Sequence, residues 1–289
     1  MFAIISDIHG NLEALTAVLA EIDKRGVDRI VCLGDVIGYG PNPIECLDLV
    51  MDRCEHVLMG NHDFAVLFEP YNFNSGAESA SFWTRRQFEL DPDEERRKRR
   101  WKFLIERPVR VDQAAGDEGH GDGLTVLDDI GDGDGSDELD FADLGLDRPL
   151  FTAVHASPRR PVNEYIFPDD IYTVPAKFPA IFDRFETLCF CGHTHVPGAF
   201  LEGPDFFSPD ELDMKFTPAG EKAVVNVGSV GQPRDRDPRA SFVLLDDDDP
   251  QDPELEFVRL TYDVETTVQK VRAVKALDNF LGSRLLDGR

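Results

Sequence analysis

Short apolar runs and amphipathic stretches alternate from the first residues of the chain. Phe2 to Ile5 is uniformly apolar, the pattern of a strand buried on both faces. Leu12, Leu15, Val18, Leu19 and Ile22 then recur at helical spacing, and Gly26 stands where a left-handed residue would end the helix. Arg29 to Leu33 predicts a second strand. Pro41-Asn42-Pro43 predicts a helix start, with Asn42 as cap and Pro43 in the first turn. His56 to Met59 reads as a third strand, so the N-terminal order is that of an α/β core.

Two helices are expected between Ser75 and Arg107. The second opens on acidic Asp91 to Glu95 and runs into basic Arg96 to Arg100, an order that suits the helix dipole. The basic run reads as a solvated face paired with Glu94 and Glu95. From Pro108 to about Gly135 the chain is rich in Gly and Asp, and only Leu124 to Leu127 has strand character. Residues 116–146 are therefore expected to form an acidic, flexible insertion. Its GDGDGSDELD segment lacks the register of an EF-hand loop.

The second half predicts strands at Leu150 to Val154, Leu188 to Cys191, Val196 to Leu201, Lys222 to Val227, Ala240 to Leu245 and Glu254 to Tyr262. A last helix should begin after Asp263, with Val264, Val268, Val271, Val274 and Leu277 inward. No repeat or linker divides the chain. The expectation is one domain over residues 1–289, of α/β class, with two mixed β-sheets packed as a sandwich and flanked by helices.

Five of the apolar runs stop abruptly at polar residues that bind metals. FAIIS leads into Asp7-Ile8-His9, IVCLG into Asp35, VLMG into Asn61-His62-Asp63, FTAV into His155, and LCFCG into His193-Thr194-His195. Five of the seven histidines lie at these strand ends; His56 and His120 do not. Ligands of α/β sheets bind beyond the carboxyl ends of strands, so these residues can converge. Imidazole with carboxylate suits Mn, Fe, Co, Ni or Zn better than Ca or Mg. Asp35 follows Gly34 in a tight turn, where its carboxylate could bridge two ions, and Asn61 offers a neutral oxygen. Each short motif alone is weak; the ordered set is not.

Charge narrows the partners. With 56 acidic and 30 basic residues, net −26, the surface repels nucleic-acid backbones and anionic membranes. Blocks such as Asp246 to Asp249 suggest a salt-rich cytoplasm that screens the repulsion. The five cysteines are odd in number and form no CxxC pair, which fits reduced thiols. The opening MFAIISDIHG has no basic signal-peptide region, so a cytoplasmic protein is expected. Oligomeric state is left open.

DIHGN, GDVIGYG, GNHD, VHASP, GHTH and NVGSVGQPRD together resemble the calcineurin-like metallophosphoesterase superfamily, in its small prokaryotic phosphodiesterase-like branch. The resemblance covers nearly the whole chain apart from the acidic stretch. It implies a β-sandwich between helical layers with one dinuclear site. Asp7, His9, Asp35 and His195 would hold the first ion, and Asp35 would bridge to a second completed by Asn61, His155 and His193. A hydroxide between two cations would attack phosphorus in line. His62, needed by neither ion, would protonate the leaving group, with Asp63 orienting its ring and raising its pKa.

One departure bears on substrate. Protein phosphatases of this superfamily carry an arginine after the GD motif, whereas here Asp35 is followed by Val36-Ile37-Gly38-Tyr39-Gly40. That weakens the Ser/Thr protein phosphatase and dinucleoside polyphosphate hydrolase readings and favours a diester, which carries less charge. Arg234 is the remaining candidate for phosphate contact, unless it pairs with Asp235 or Asp237. Tyr39 lines the pocket or simply packs. The expected substrate is a small phosphoester or nucleotide-like molecule, with no stable nucleic-acid complex. A protein-binding scaffold, as in a retromer subunit of this fold, would have lost site histidines; here all are present.

Overall fold

Alternation of side chains about each strand explains why so many runs are apolar throughout. The protein, represented by a computed structural model, is described over residues 1–114 and 149–289; the acidic stretch and Leu124 to Leu127 lie outside these residues. The first part of the chain forms β1 (Phe2–Ile5), α1 (Leu12–Lys24), β2 (Arg29–Cys32), α2 (Pro43–Arg53) and β3 (His56–Val57). Three helices follow, α3 (Asn61–Leu67), α4 (Ser75–Glu89) and α5 (Glu94–Ile105), and then β4 (Arg110–Ala114). Next come β5 (Pro149–Val154), α6 (Asp170–Thr173), α7 (Lys177–Phe182), β6 (Leu188–Cys191), β7 (Gly198–Leu201), β8 (Asp205–Phe207) and β9 (Lys215–Phe216). The chain ends with β10 (Ala223–Asn226), β11 (Ala240–Asp246), β12 (Glu254–Leu260), α8 (Val264–Ala273) and α9 (Asn279–Ser283).

Two six-stranded mixed sheets result, ordered β3-β2-β1-β11-β12-β9 and β4-β5-β6-β10-β7-β8. β1, β2 and β3 are mutually parallel in the first, and β5, β6 and β10 in the second. In β1, Phe2 and Ile4 enter the layer between the sheets, while Ala3 and Ile5 face the helices. β6 divides likewise: Leu188 and Phe190 point between the sheets, Cys189 and Cys191 toward the layer around α7. Both faces of β1 and β6 are covered, so these strands read as continuous apolar sequence. All five cysteines are free thiols. No described helix is long and apolar enough to cross a membrane.

The helix ends show where local signals acted. Asn11 caps α1 by accepting from the Ala14 amide, and Gly26 takes φ +70° just past its end. Asn42 occupies the cap position of α2, but its side chain bonds Glu45 and Lys270 instead. Arg100 departs from the solvated face expected of its run: it is buried, with Nε and Nη2 at 2.7 and 2.6 Å from the Asp48 carboxylate and a further contact to Asp91. α8 stops at Ala273, earlier than its apolar spacing predicts. Leu277 reaches the core from the following turn, packing with Tyr39, Val271 and Leu281.

Phe151 stands at the centre of the layer between the sheets, edge-on to Phe2 at 5.2 Å and to Phe190 at 5.3 Å. Replacing it opens a cavity that neither sheet can close. Phe151→Ala should lower unfolding free energy by about 3–5 kcal/mol in urea titrations. Tyr172→Ser, at a residue 80% exposed, should leave it unchanged. Equal effects of the two would contradict this packing.

Candidate metal centre

The residues just past β1, β2 and β6 turn their side chains out of the sheet alternation by entering left-handed backbone. Asp7, His9, Asp35, His193 and His195 have φ of 53°, 48°, 51°, 63° and 62°. Non-glycine residues held there cost about 1–3 kcal/mol each and persist only when their surroundings over-determine them. Here they do. Asp7 N donates to Gly34 O at 3.1 Å, His9 N to Asp35 O at 2.9 Å, and Gly231 N to Asp7 O at 2.9 Å. In the other sheet, Gly192 N donates to His155 O at 2.9 Å. Asn226, at the end of β10, donates to Gly192 O and Thr194 Oγ1 and so fixes the turn carrying both histidines.

Each acidic ligand candidate is held by one oxygen and leaves the other toward the centre. Asp7 Oδ2 accepts from His193 N at 2.9 Å, while its Oδ1 is buried without a hydrogen-bond partner, 3.0 Å from His195 Nε2 and 3.7 Å from His9 Nε2. Asp35 Oδ1 accepts from His62 N at 2.7 Å. Its Oδ2 lies 3.7 Å from His9 Nε2 and 3.5 Å from His155 Nε2. His155 Nε2 is also 3.1 Å from Asn61 Oδ1 and 3.2 Å from His193 Nδ1. Two donor groups emerge, Asp7-His9-His195 and Asp35-His155-His193; a third combines His9, Asp35 and His62. All seven predicted ligands meet in one place.

The protonation chemistry suits cations. His195 and His155 donate their Nδ1 protons to the Gln232 and Leu33 carbonyls, which leaves Nε2 as a lone pair on each ring. Burial pushes His9, His155 and His193 below their ordinary values, and His195 down to about 3, so all are neutral rings. His9 Nε2 and His195 Nε2 then face each other at 3.3 Å beside a carboxylate. Burial, then the charges of Asp7 and Asp63, raises Asp35 well above the carboxylate range. Burial opposes the charge on Asp7 as well, but His195 and His9 hold its pKa well below that range. Neutral imidazole lone pairs converging with carboxylates whose charge burial and mutual repulsion oppose are what a divalent cation satisfies.

Asp63 does not do what its place beside His62 predicts. Its carboxylate accepts from the amides of Asp35 at 2.8 Å, Gly60 at 3.1 Å and Ile37 at 3.2 Å, and reaches no ring. Burial pushes it up to about 7 against those donors. It is a positioning residue for the Asp35 turn. His62 keeps Nδ1 without a partner, packed where only Gly38 leaves room, since a Cβ there would come within 2.7 Å of it. Its ring lies 4.2 Å from Tyr39 and 4.6 Å from Phe73. Burial, then the neighbouring His9, lowers its pKa well below the usual value, the opposite of the expected direction.

Arg234 bonds Gln232 Oε1 at 2.7 Å and stands 5.9 Å from the Tyr39 ring. Asp235 and Asp237 pair with Arg259 and Arg239 rather than with it. The residue that sequence reasoning missed is Tyr165. Its ring stacks on His193 at 4.0 Å, and Phe167 stacks on Tyr165 at 5.1 Å. The only sequence signal was an aromatic pair two residues apart in a loop.

A buried Asp/His cluster at the carboxyl ends of parallel strands in two mixed sheets is a candidate metal centre. The chain belongs to the calcineurin-like phosphoesterase family, whose model matches residues 1–197. It is 32% identical over 292 residues to an uncharacterized protein of Methanocaldococcus jannaschii, covering 100% of this chain and 98% of that one. It is also similar to the crystal structure of a metallophosphoesterase from Sphaerobacter thermophilus, with 31% identity, TM-score 0.71 and coverage of 100% and 98%. A hypothetical protein from Pyrococcus horikoshii shares the fold at 18% identity, TM-score 0.66 and coverage of 100% and 99%. Family membership makes the protein a metal-dependent phosphoesterase.

Close backbone approach gives a sharp test of the centre. A Cβ on Gly60 would lie 2.1 Å from Asp35 Oδ1, and one on Gly192 would lie 2.3 Å from Asp7 Oδ2. Gly60→Ala and Gly192→Ala should each lose bound metal in elemental analysis, with at least a tenfold weaker affinity, in line with disrupted outer-shell support. Gly203→Ala, with open space around it, should bind metal as the parent does. Full occupancy in Gly60→Ala would refute the placement of Asp35.

Proposed function

We propose that the protein is a dinuclear phosphodiester hydrolase, with Asp7, His9, Asp35 and His195 holding one ion and Asp35, Asn61, His155 and His193 the other. The observation that carries this reading is that the two donor groups are reached by the same Asp35 carboxylate, 3.7 Å from His9 and 3.5 Å from His155. Two divalent transition-metal ions (Mn, Fe, Ni, Co or Zn) would supply an activated water and charge stabilisation for the phosphoryl oxygens.

The chain's own residues do the rest. Asn61 contributes a neutral oxygen and leaves its ion electrophilic. His62 reaches the donors of His9 and Asp35 yet is required by neither group, and Tyr39 and Phe73 hold its ring at the site. In that position, with the anionic ester bound beside it to favour the charged ring against burial, it protonates the departing alkoxide. Arg234, free of its acidic neighbours, faces a phosphoryl oxygen. One guanidinium, with no arginine after Asp35, suits the single charge of a diester. A non-catalytic scaffold is disfavoured because every donor and His62 are retained.

After loading with Mn, elemental analysis should find two ions per chain, and a single ion would remove the dinuclear reading. His62→Ala should keep both ions and lose about 10²–10⁴-fold in turnover on diesters with alkyl leaving groups. The loss with p-nitrophenol as leaving group should be small, since it departs without a proton. Unimpaired cleavage of the alkyl diester would end the assignment of His62.

The acidic composition supports a further reading, a protein adapted to a salt-rich cytoplasm. Its Tm should climb between about 0.1 and 2 M KCl as repulsion is screened. A Tm indifferent to salt would dismiss it.

A further inference from the structure

Beyond Arg234 the surface opens into a groove of about 500 Å³ that none of His62, Tyr39 or Phe73 lines. It begins at Val196, directly after His195, and Arg234 forms the wall shared with the metal centre, its amide donating to His195 O at 3.2 Å. Pro197, Phe206 and Met214 give it an apolar side. Arg236 and Arg259 give it a basic side. A volume of this size, apolar on one flank with few polar anchors, is that of a small-molecule subsite.

The charges of the groove are unequal. Asp235 is paired with Arg259, and Asp237 with Arg239; Asp210, the third carboxylate of the lining, has no ion pair among the described residues. Among the described residues neither the Arg236 nor the Arg234 side chain makes an ion pair, and Arg234 bonds the neutral amide of Gln232. Arg259, whose side chain is 7% exposed, keeps Nη1 buried without a partner, as does Oδ1 of Asp235. A buried arginine nitrogen that the protein's own groups leave unsatisfied costs free energy, which a polar ligand at the groove floor would recover. In a chain of net charge −26, two unpaired guanidinium groups beside an apolar wall form a site for an anion with a planar body.

We propose that this groove binds the arm of the diester that stays on the product, and that this arm is a nucleoside carrying a further phosphate. The proposal rests on the phosphodiesterase reading above. Its geometry follows from that reading: the leaving oxygen departs on the His62 side, so the retained arm extends past Arg234. Its sugar and base lie along Pro197, Phe206 and Met214, and its second phosphate meets Arg236. In hydrolysis water adds to phosphorus, the bond to the leaving alcohol breaks, and the nucleotide is released with both phosphates.

The test uses three p-nitrophenyl diesters with the Mn-loaded full chain: methyl p-nitrophenyl phosphate, thymidine 5′-(p-nitrophenyl phosphate), and its 3′-phosphorylated form. All share one leaving group. The 3′-phosphorylated compound should have the highest kcat/KM, by up to about fivefold over the unphosphorylated nucleotide, the scale of one arginine–phosphate contact near the surface. Arg236→Glu should abolish that advantage through KM and leave the methyl diester unchanged, and Arg236→Lys should restore most of it. Calorimetry should show thymidine 3′,5′-bisphosphate binding about tenfold more weakly to Arg236→Glu than to the parent. Equal kcat/KM for all three arms, a uniform loss in Arg236→Glu, or unchanged binding of the bisphosphate would overturn the subsite. Binding that depends on Arg236, with no diester cleaved, would uphold the subsite and refute the phosphodiesterase reading instead.

Discussion

The hydrogen bond from the His193 amide to Oδ2 of Asp7 ties the carboxyl end of one sheet to the carboxyl end of the other. Much of the centre depends on ties of this kind. His155 Nδ1 donates to Leu33 O, and Val230 N and Gly231 N close on the carbonyls of Ser6 and Asp7. Five ligand-bearing residues in left-handed backbone would relax if either sheet moved alone. The core of phenylalanines between the sheets therefore has a second role besides burial. It fixes the distance across which Asp7 and His193 meet, and with it the spacing of both donor groups.

Three carboxylates buried together impose the next constraint. Asp63 is settled by three backbone amides, two in the Asp35 turn and one at the start of α3. Asp7 and Asp35 each receive one amide and keep one oxygen with no such donor. The asymmetry is chemical. A carboxylate with both oxygens satisfied is a structural group, and one with a single oxygen satisfied is a ligand held at a fixed angle. Burial and mutual repulsion make such a pair unfavourable by itself, so cation binding and folding stability are linked in this protein.

That distinction also marks what the sequence could and could not reveal. β1, α1 and the residues that end five strands were legible because apolar runs and metal-type side chains are local signals. β8 and β9, of three and two residues, exist only through pairing at sheet edges and leave no periodic trace. β4 reads RVDQA, polar at three of five positions, and becomes a strand by pairing with β5. Asp63 was misjudged because adjacency to His62 suggested a contact, whereas two of its partners lie 26 and 28 residues away. Tyr165 was missed for the same reason, since its stacking on His193 joins two loops that only the fold brings together. Arg100, in a run of five basic residues, looked solvated, but Asp48 and Asp91 draw it inside.

Charge makes the last connection between fold and chemistry. A protein of net charge −26 repels anionic substrates at long range, yet its family acts on phosphate esters. The conflict is resolved by where basic residues lack acidic partners. Arg25, Arg53, Arg110 and Arg239 are each paired with a carboxylate on the surface, so they contribute little attraction to an approaching anion. Arg234, bonded to an amide and standing beside Tyr39, has no carboxylate partner among the described residues. Salt screens the distant repulsion more effectively than the close attraction within a recessed site, because screening acts over about 8–10 Å and weakens for buried pairs. An acidic surface and an anionic substrate are thus compatible, provided that recognition is confined to short range.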